Sequence, residues 1–455
     1  MTSSKNIENL NLDRLADFYQ LTQDILHLAV QKGATQAEVA VSLDSGLSTT
    51  VRAGEVETLE FHREQGMGVT VFFGKRKGIA SSSDISQAAI EETVKAACNI
   101  AQFTMPDECA GLADPELMAY DYPQLDLYHP WKISPEEAIK IATECETYGR
   151  KIDKRITNSE GAGLNTHEGL QVYGNTHGFI GGYPTSRYTL SCVLIGEQQG
   201  HMQRDYWYTV ARDGRQLESA KSVAQHAAER TLARLGARKI KTGKYPILFQ
   251  ADVARSLLGG FISAIQGSNL YRQASFLLNC LGKSVFAPWV NIEEHPHVLG
   301  GLASAPFDAD GVRTQPKSLV TDGVLQSYIL SSYSARKLNM TTTGNAGGVH
   351  NLFIKPAGKN GEQDLAALLK HMGTGILVTE LMGHGTNIIT GDYSHGAVGF
   401  WVENGVIQYP IEEFTIASNL KDMFLNLVAV GNDIDKRSGI QTGSWLLDTM
   451  TVAGE

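Results

Sequence analysis

Four stretches of this chain gather residue types that do chemistry. Thr166-His167-Glu168 opens as a zinc-peptidase helix does, but HExxH needs a histidine four residues on, and position 171 is Gln171. The triplet reads as exposed turn residues. Glu293-Glu294-His295-Pro296-His297 puts two carboxylates and two imidazoles side by side, a set able to hold a divalent metal. Pro296 works against helical presentation and implies an extended loop, for which simple solvation is the plainer reading. Gly344-Asn345-Ala346-Gly347-Gly348-Val349-His350-Asn351 and Met382-Gly383-His384-Gly385-Thr386-Asn387 combine glycine with histidine. Neither has the spacing of a phosphate loop, and neither follows the strand–GxGxxG–helix order of a dinucleotide site. Backbone groups left open by glycine could pair with an extended peptide by strand addition; turns of a curved sheet are the alternative. There is no GxSxG elbow.

Composition narrows the field. The 455 residues carry a net charge of −10, and no Lys/Arg run exceeds three residues. Phosphate contacts need clustered positive charge, so direct nucleic-acid binding is not expected. The longest apolar stretches, such as Leu257–Ile265, are about half the ~20 residues a membrane helix needs. Met1–Asp13 is polar and lacks the apolar core of a secretory signal. Cys98, Cys109, Cys145, Cys192 and Cys280 are odd in number and have no CxxC spacing. They read as free thiols, and the expected location is cytoplasmic.

The elements that must position these stretches follow from periodicity. Leu12, Leu15, Ala16, Tyr19, Leu26, Ala29 and Val30, widened by Leu21, Ile25 and Leu28, predict a well-buried helix over Leu12–Gln31 with Thr22 as its one polar member. Gly33 stops it. From Ala37 to Ser83 the period changes to two, and Gly46, Gly54, Gly66, Gly68, Gly74 and Gly78 punctuate a meander of four or five strands. A helix over Ser86–Thr104 buries Ile90, Val94, Ala97, Cys98 and Ala101. The pattern then recurs. Ser134-Pro135-Glu136-Glu137 is a capping box opening a helix to about Lys151. Alternating strands fill Ile156–Val210, and a further helix runs over Leu217–Leu235. Prolines 115, 123 and 130 mark the joint between the copies.

After Lys244 the texture shifts. Tyr245–Gln250 reads as a buried strand and Ala251–Ile265 as a helix. Beyond Asn269 short strands and loops dominate, with thirteen glycines between Gly344 and Gly405. The expected fold class is α+β. Residues 1–112 and 113–240 form a repeated helix–antiparallel meander–helix unit, and 241–455 a glycine-rich bent antiparallel sheet or barrel-like domain.

Longer motifs go further by similarity. Gly54-Glu55-Val56-Glu57, Lys77-Gly78-Ile79-Ala80-Ser81-Ser82, Tyr271-Arg272, Gly300-Gly301-Leu302-Ala303-Ser304 and Ser332-Tyr333-Ser334-Ala335-Arg336-Lys337 resemble the TldD/PmbA family. So do Gly391-Asp392-Tyr393-Ser394 through Trp401-Val402-Glu403-Asn404-Gly405, and Gly431-Asn432-Asp433-Ile434. The resemblance spans the whole chain, and its details are those of the PmbA (TldE) branch. It implies one subunit of a cytoplasmic two-chain metalloprotease acting on unfolded and leader peptides, including a gyrase-targeting microcin precursor and a plasmid antitoxin. The older label "modulator of DNA gyrase" then reflects such substrates.

In the TldD subunit the family carries HExxxH on a helix and a cysteine near the C-terminus as its zinc set. At those positions this chain reads Gln250, Ala251, Arg255 and Thr442. Arginine cannot coordinate and alanine cannot act as a base, so the resemblance implies no metal here and zinc in a TldD-type partner. His350, Asn351, His384, Gly385 and Thr386 are the expected substrate-binding residues, and no catalytic residue is expected. The expected partners are a TldD-type subunit and peptide or unfolded-protein substrates, with a homodimer when the chain is alone. Two alternatives stand beside this: a self-sufficient peptidase with a metal near His295 and His297, and a non-enzymatic homo-oligomer that binds peptides or modulates a topoisomerase.

Overall fold

Phe18, Thr22, Ile25, Leu26 and Ala29 recur at helical spacing and form the buried stripe of helix α1 (Leu10–Gln31). Ala16 and Val30, expected in that stripe, are exposed, and Phe18, which the periodicity did not include, is buried in it. The computed structural model describes residues 10–358 and 361–455. Most of the polar opening Met1–Asp13 and the side chain of Leu12 lie outside what is described. Gly33, at φ 92°, ends the helix as expected.

Three long strands follow, not four or five: β1 (Gln36–Arg52), β2 (Glu55–Phe73) and β3 (Arg76–Ser82). Gly54 and Gly74 make the turns, but the strands run straight through Gly46, Gly66, Gly68 and Gly78. At Gly46 a Cβ would sit 2.2 Å from the Thr166 carbonyl oxygen, so glycine here permits close strand approach rather than a break. Helix α2 (Gln87–Phe103), capped by Ser86, buries the five residues expected of it. Helix α3 (Pro135–Lys151) opens with the reciprocal Ser134–Glu137 capping box. Then come β4 (Ile156–Asn175), β5 (Ile180–Gln198), β6 (His201–Ala211) and α4 (Ala220–Ala233).

Both copies of the unit share one six-stranded sheet, ordered β3-β2-β1-β4-β5-β6. Their first strands, β1 and β4, pair antiparallel at the centre, with Val41 opposite Val172. Val39, Val41, Leu43, Val69 and Val71 pack under α1 and α2. Leu164, Leu190, Cys192 and Leu194 pack under α3 and α4. The helices thus cover one face in two patches, and each patch is a separate hydrophobic core.

The rest of the chain begins with β7 (Gly243–Phe249), α5 (Ala251–Ile265) and α6 (Gly267–Tyr271). Next are β8 (Ile292–Glu294), β9 (Lys317–Thr321), β10 (Val324–Leu325), α7 (Ser332–Lys337), β11 (Leu352–Ile354) and β12 (Ala357–Gly358). Helix α8 (Leu365–Met372), β13 (Gly375–Met382), β14 (Asp392–Glu403) and β15 (Val406–Asn419) lead to α9 (Leu420–Leu425), β16 (Leu427–Val430), β17 (Ile440–Gln441) and β18 (Trp445–Ala453). Pairings β7–β13–β14–β15–β18 and β18–β7 close a five-stranded barrel. Bulges at Val378/Glu380 and Ala397/Gly399 bend its walls. A Cβ on Gly399 would lie 2.0 Å from the Leu377 carbonyl oxygen. This is one place where the glycine density is required. A second sheet, β10-β9-β8-β11-β17, lies beside the barrel. Ala254, Leu257, Leu258 and Phe261 of α5 join Phe286, Phe424 and Trp445 in the largest core.

Candidate functional site

Helix α5 follows β7 with no intervening loop. Gln250 is its N-cap residue, and the Gln250 side chain makes no capping hydrogen bond. Ala251 is buried, and Arg255 sits one turn on. β17 packs against α5, which brings Thr442 to the same neighbourhood. The link runs through Asp435: its backbone N–H donates to the Thr442 carbonyl oxygen (3.1 Å), and its carboxylate faces the Arg255 guanidinium (3.6 Å). The four positions singled out by family resemblance therefore belong to one locale.

Their chemistry suits a zinc ion poorly. Arg255 is cationic, cannot coordinate a metal, and faces the Asp435 carboxylate. The buried Thr442 hydroxyl donates to the Gly443 carbonyl oxygen (2.9 Å) and accepts the Trp445 indole N–H (2.7 Å), so its hydrogen bonding is committed.

A cleft of about 240 Å³ opens here, between α4 and β6 on one side and α5 and β13 on the other. Asp205, Tyr206 and Tyr208 come from β6, Arg230 from α4, Asp252, Arg255 and Ser256 from α5, and Thr379–Leu381 from the bulged part of β13. Arg230 bridges Asp205 (3.1 Å) and Asp252 (3.3 Å). Arg234 pairs with Asp205 and Glu380. Arg437 binds Asp435 (2.9 Å) and lies over the Trp207 and Tyr208 rings, 3.8 and 4.7 Å from their centroids. Four arginines thus interleave with four carboxylates.

Burial pushes the Asp252 carboxyl up despite Arg230 and Arg437 beside it, and its buried Oδ1 accepts no hydrogen bond from the described residues. Burial acts the same way on Asp435, but the Arg437 hydrogen bonds and the Arg437 and Arg255 charges outweigh it and hold that carboxyl low. The cleft has fixed dipoles and both signs of charge, which suits the polar main chain and termini of a peptide. Asp205, Tyr206, Tyr208 and Arg230 were not foreseen. They come from an element pair distant in sequence from α5, and no local motif marks them.

The expected substrate residues fall in two places. His384, Gly385 and Thr386 lie in the 383–391 loop that continues β13 past the cleft. His384 is exposed. The Gly385 carbonyl accepts from the Ser394 N–H (2.7 Å), and the Thr386 hydroxyl meets His395 Nε2 (2.8 Å). A Cβ on Gly385 would lie 1.4 Å from the Ser394 carbonyl oxygen. His350 and Asn351 instead lie inside, next to β11. Glu294 accepts from the His350 N–H (2.7 Å) and contacts its Nδ1 (2.9 Å). The Asn351 side chain donates to the His295 carbonyl and Ser304 hydroxyl and accepts from the Ala303 N–H.

The Glu293–His297 stretch is not a solvated loop. Glu293 and Glu294 end β8, and Glu294 is 0% exposed, paired with Lys317 (3.0 Å) and His350. Burial alone would raise its carboxyl, but His350 and Lys317 prevail and hold it at about 2. His295 turns to Glu293 (3.1 Å) and His297 to Thr314 (2.9 Å). Among the described residues no three such side chains converge as metal ligands. Thr166, His167 and Glu168 lie within β4 rather than in a turn, and Glu168 accepts from the Tyr128 and Tyr188 hydroxyls.

Comparison with known proteins agrees in three segments. Residues 37–101, 128–235 and 242–454 match the PmbA/TldA metallopeptidase domain 1, central domain and C-terminal domain. The chain is 52% identical to "Metalloprotease PmbA" of Escherichia coli O157:H7, covering 92% of each chain. It is 49% identical to a PmbA homologue of Haemophilus influenzae, covering 94% of each. That organism also has a "Metalloprotease TldD homolog", 22% identical over 92% of this chain and 91% of that one. Among solved structures, a Bacteroides thetaiotaomicron protein named for modulation of DNA gyrase superposes with a TM-score of 0.91 at 27% identity, covering 97% of this chain and all of that one. TldE from Thermococcus kodakarensis shares the fold, with a TM-score of 0.82 at 18% identity over 95% of this chain and all of that one. No helix among the described residues is long and apolar enough to cross a membrane.

Proposed function

The chain belongs to the PmbA branch of the TldD/PmbA metallopeptidase family, and from that footing we propose that it is the metal-free subunit of a two-chain cytoplasmic peptidase. A TldD-type partner supplies the zinc and the activated water. The single observation that carries the reading is the donor set at Gln250, Ala251, Arg255 and Thr442: one arginine tied to Asp435, one alanine, one committed hydroxyl and one neutral amide. A TldD homologue beside a PmbA homologue in Haemophilus influenzae supports the partnership.

The work left to this chain is to hold unfolded or leader peptides in extended form. His384, Gly385 and Thr386 would contact the peptide directly, in the loop that follows the cleft-lining residues Thr379–Leu381. His350 and Asn351 would act by holding the loops around β8 and β11 in place through Glu294, Ala303 and Ser304. Main-chain contacts of this kind suit a peptidase with little side-chain preference.

The test is peptide cleavage by the complex reconstituted with a TldD-type chain. His384→Ala should lower kcat/KM about tenfold while the complex still assembles. Unchanged kinetics would remove His384 and its loop from the groove.

A further inference from the structure

β6 covers β5 only from Tyr188 onward. Beside the earlier part of β5 runs the joint between the two units, and the two enclose a second cleft of about 410 Å³. It shares no lining residue with the charged cleft. Its walls are rich in aromatic rings and proline: Tyr122, Pro123 and Tyr128 from the joint, Tyr183 and Pro184 from β5. The rings are held from behind. Phe307 packs edge-on against Tyr122 and Tyr183, with centroids 5.1 and 5.4 Å away. The Tyr122 hydroxyl accepts from the Gly182 N–H and donates to the Gly182 carbonyl (both 3.2 Å), and the Tyr128 hydroxyl donates to Glu168 (2.9 Å). Tyr183 differs. Among the described residues nothing hydrogen-bonds its hydroxyl. Burial pushes that hydroxyl up to about 12 against the pull of the Arg212 charge, so it stays protonated and able to donate.

We propose that this cleft captures a proline-rich segment of the substrate peptide, in polyproline II conformation and flanked by a basic residue, at a site separate from the charged cleft. The proposal rests on the reading that this chain holds peptide substrates. The lining is the first argument: flat rings and prolines make the apolar slots into which the prolines of such a helix fit. What the β5 edge refuses is the second. An added strand needs outward N–H groups, but that of Gly182 is held by Tyr122, Pro184 has none, and that of Ser186 donates to the Leu127 carbonyl (2.9 Å). A polyproline II segment has no internal hydrogen bonds and needs only a donor for its carbonyls, which Tyr183 supplies. Charge is the third. Asp126 is the one carboxylate of the lining, is largely exposed, and has His129 Nε2 3.3 Å away, so a basic residue beside the prolines completes the site. Unfolded chains populate this conformation readily, which matches the proposed substrates.

The test is calorimetric titration of the full chain with a capped oligoproline ending in arginine, beside a capped oligoalanine–arginine of equal length. The proline peptide should bind about tenfold more tightly. Tyr183→Phe keeps the ring against Phe307 and removes only the hydroxyl, and should weaken that binding about threefold to tenfold. Asp126→Asn should weaken it about twofold to fivefold. Circular dichroism should show both variants folded. Equal binding of the two peptides, or no shift in either variant, overturns the proposal. So does weakening by Asp252→Asn in place of Tyr183→Phe, which would put the peptide in the charged cleft. In the complex with a TldD-type chain, fusing the oligoproline to a cleavable peptide should lower KM at unchanged kcat, and Tyr183→Phe should remove the advantage. Cleavage without that advantage overturns the capture site and leaves the two-chain reading standing. Absence of any cleavage counts against the two-chain reading, and the calorimetry then decides this cleft by itself.

Discussion

Glu294 shows what a single residue contributes to the frame of this protein. It is fully buried, meets Lys317 and His350, and has its carboxyl held at about 2. A carboxyl depressed by folding adds stability above its unfolded value of about 4.5, and that stability is lost as pH falls through 4.5 toward 2. Acid unfolding should therefore steepen in that window. In Glu294→Gln the Glu294 share of this acid dependence should vanish, and chemical denaturation at neutral pH should show a loss of about 1–3 kcal/mol, because the half-buried Lys317 loses its carboxylate and keeps only the Thr343 carbonyl and Asn345 side-chain oxygens. An unchanged acid limb in the variant would show that Glu294 does not set it. The sequence flagged Glu294 as chemically able but assigned it to a solvated loop. Nothing within reach of Pro296 announces that Lys317 and His350, both distant along the chain, close over it. The charged cleft was illegible for the same reason. Asp205, Arg230, Asp252 and Asp435 have ordinary local contexts, and only the packing of α4 and β6 against α5 makes them neighbours. Arg255 and Thr442 could be picked out, but by family resemblance rather than by their own spacing.

Elements were far easier to read than residues. The limits of α2, α3 and α5 follow from caps and periodicity that act within a turn or two. Ser134 accepts from the Glu137 N–H, and Glu137 returns the bond to the Ser134 N–H, so Ser134→Ala should cost about 1 kcal/mol in thermal or denaturant unfolding. Strand number was misjudged because glycine has two meanings. Gly54 and Gly74 adopt positive φ and turn the chain, whereas Gly46 and Gly78 are extended and make room for neighbours. A Cβ on Gly78 would lie 2.1 Å from the Ala97 carbonyl oxygen, with α2 pressed on β3. Gly78→Ala should therefore push α2 outward and cost about 1–3 kcal/mol, visible as a lower unfolding midpoint. An unshifted midpoint would mean that α2 does not pack this closely. The C-terminal domain was anticipated as a bent or barrel-like antiparallel sheet. The parallel closing pair was not, because β7 with β13 joins residues more than a hundred positions apart.

At the scale of the whole molecule, the repeat in the sequence becomes one continuous sheet, and the glycine-rich C-terminal half becomes a barrel with a second sheet beside it. The cleft lies where these two halves meet. The central claim is that this chain holds peptide while its partner holds the metal. The most direct measurement is zinc content by elemental analysis on the chain purified alone, with peptide cleavage assayed on the same sample before and after adding a TldD-type chain. The account predicts far less than one zinc per chain and no cleavage alone, with chelator-sensitive cleavage appearing once the partner is present. One tightly bound zinc per chain, with chelator-sensitive cleavage by the chain alone, would contradict it.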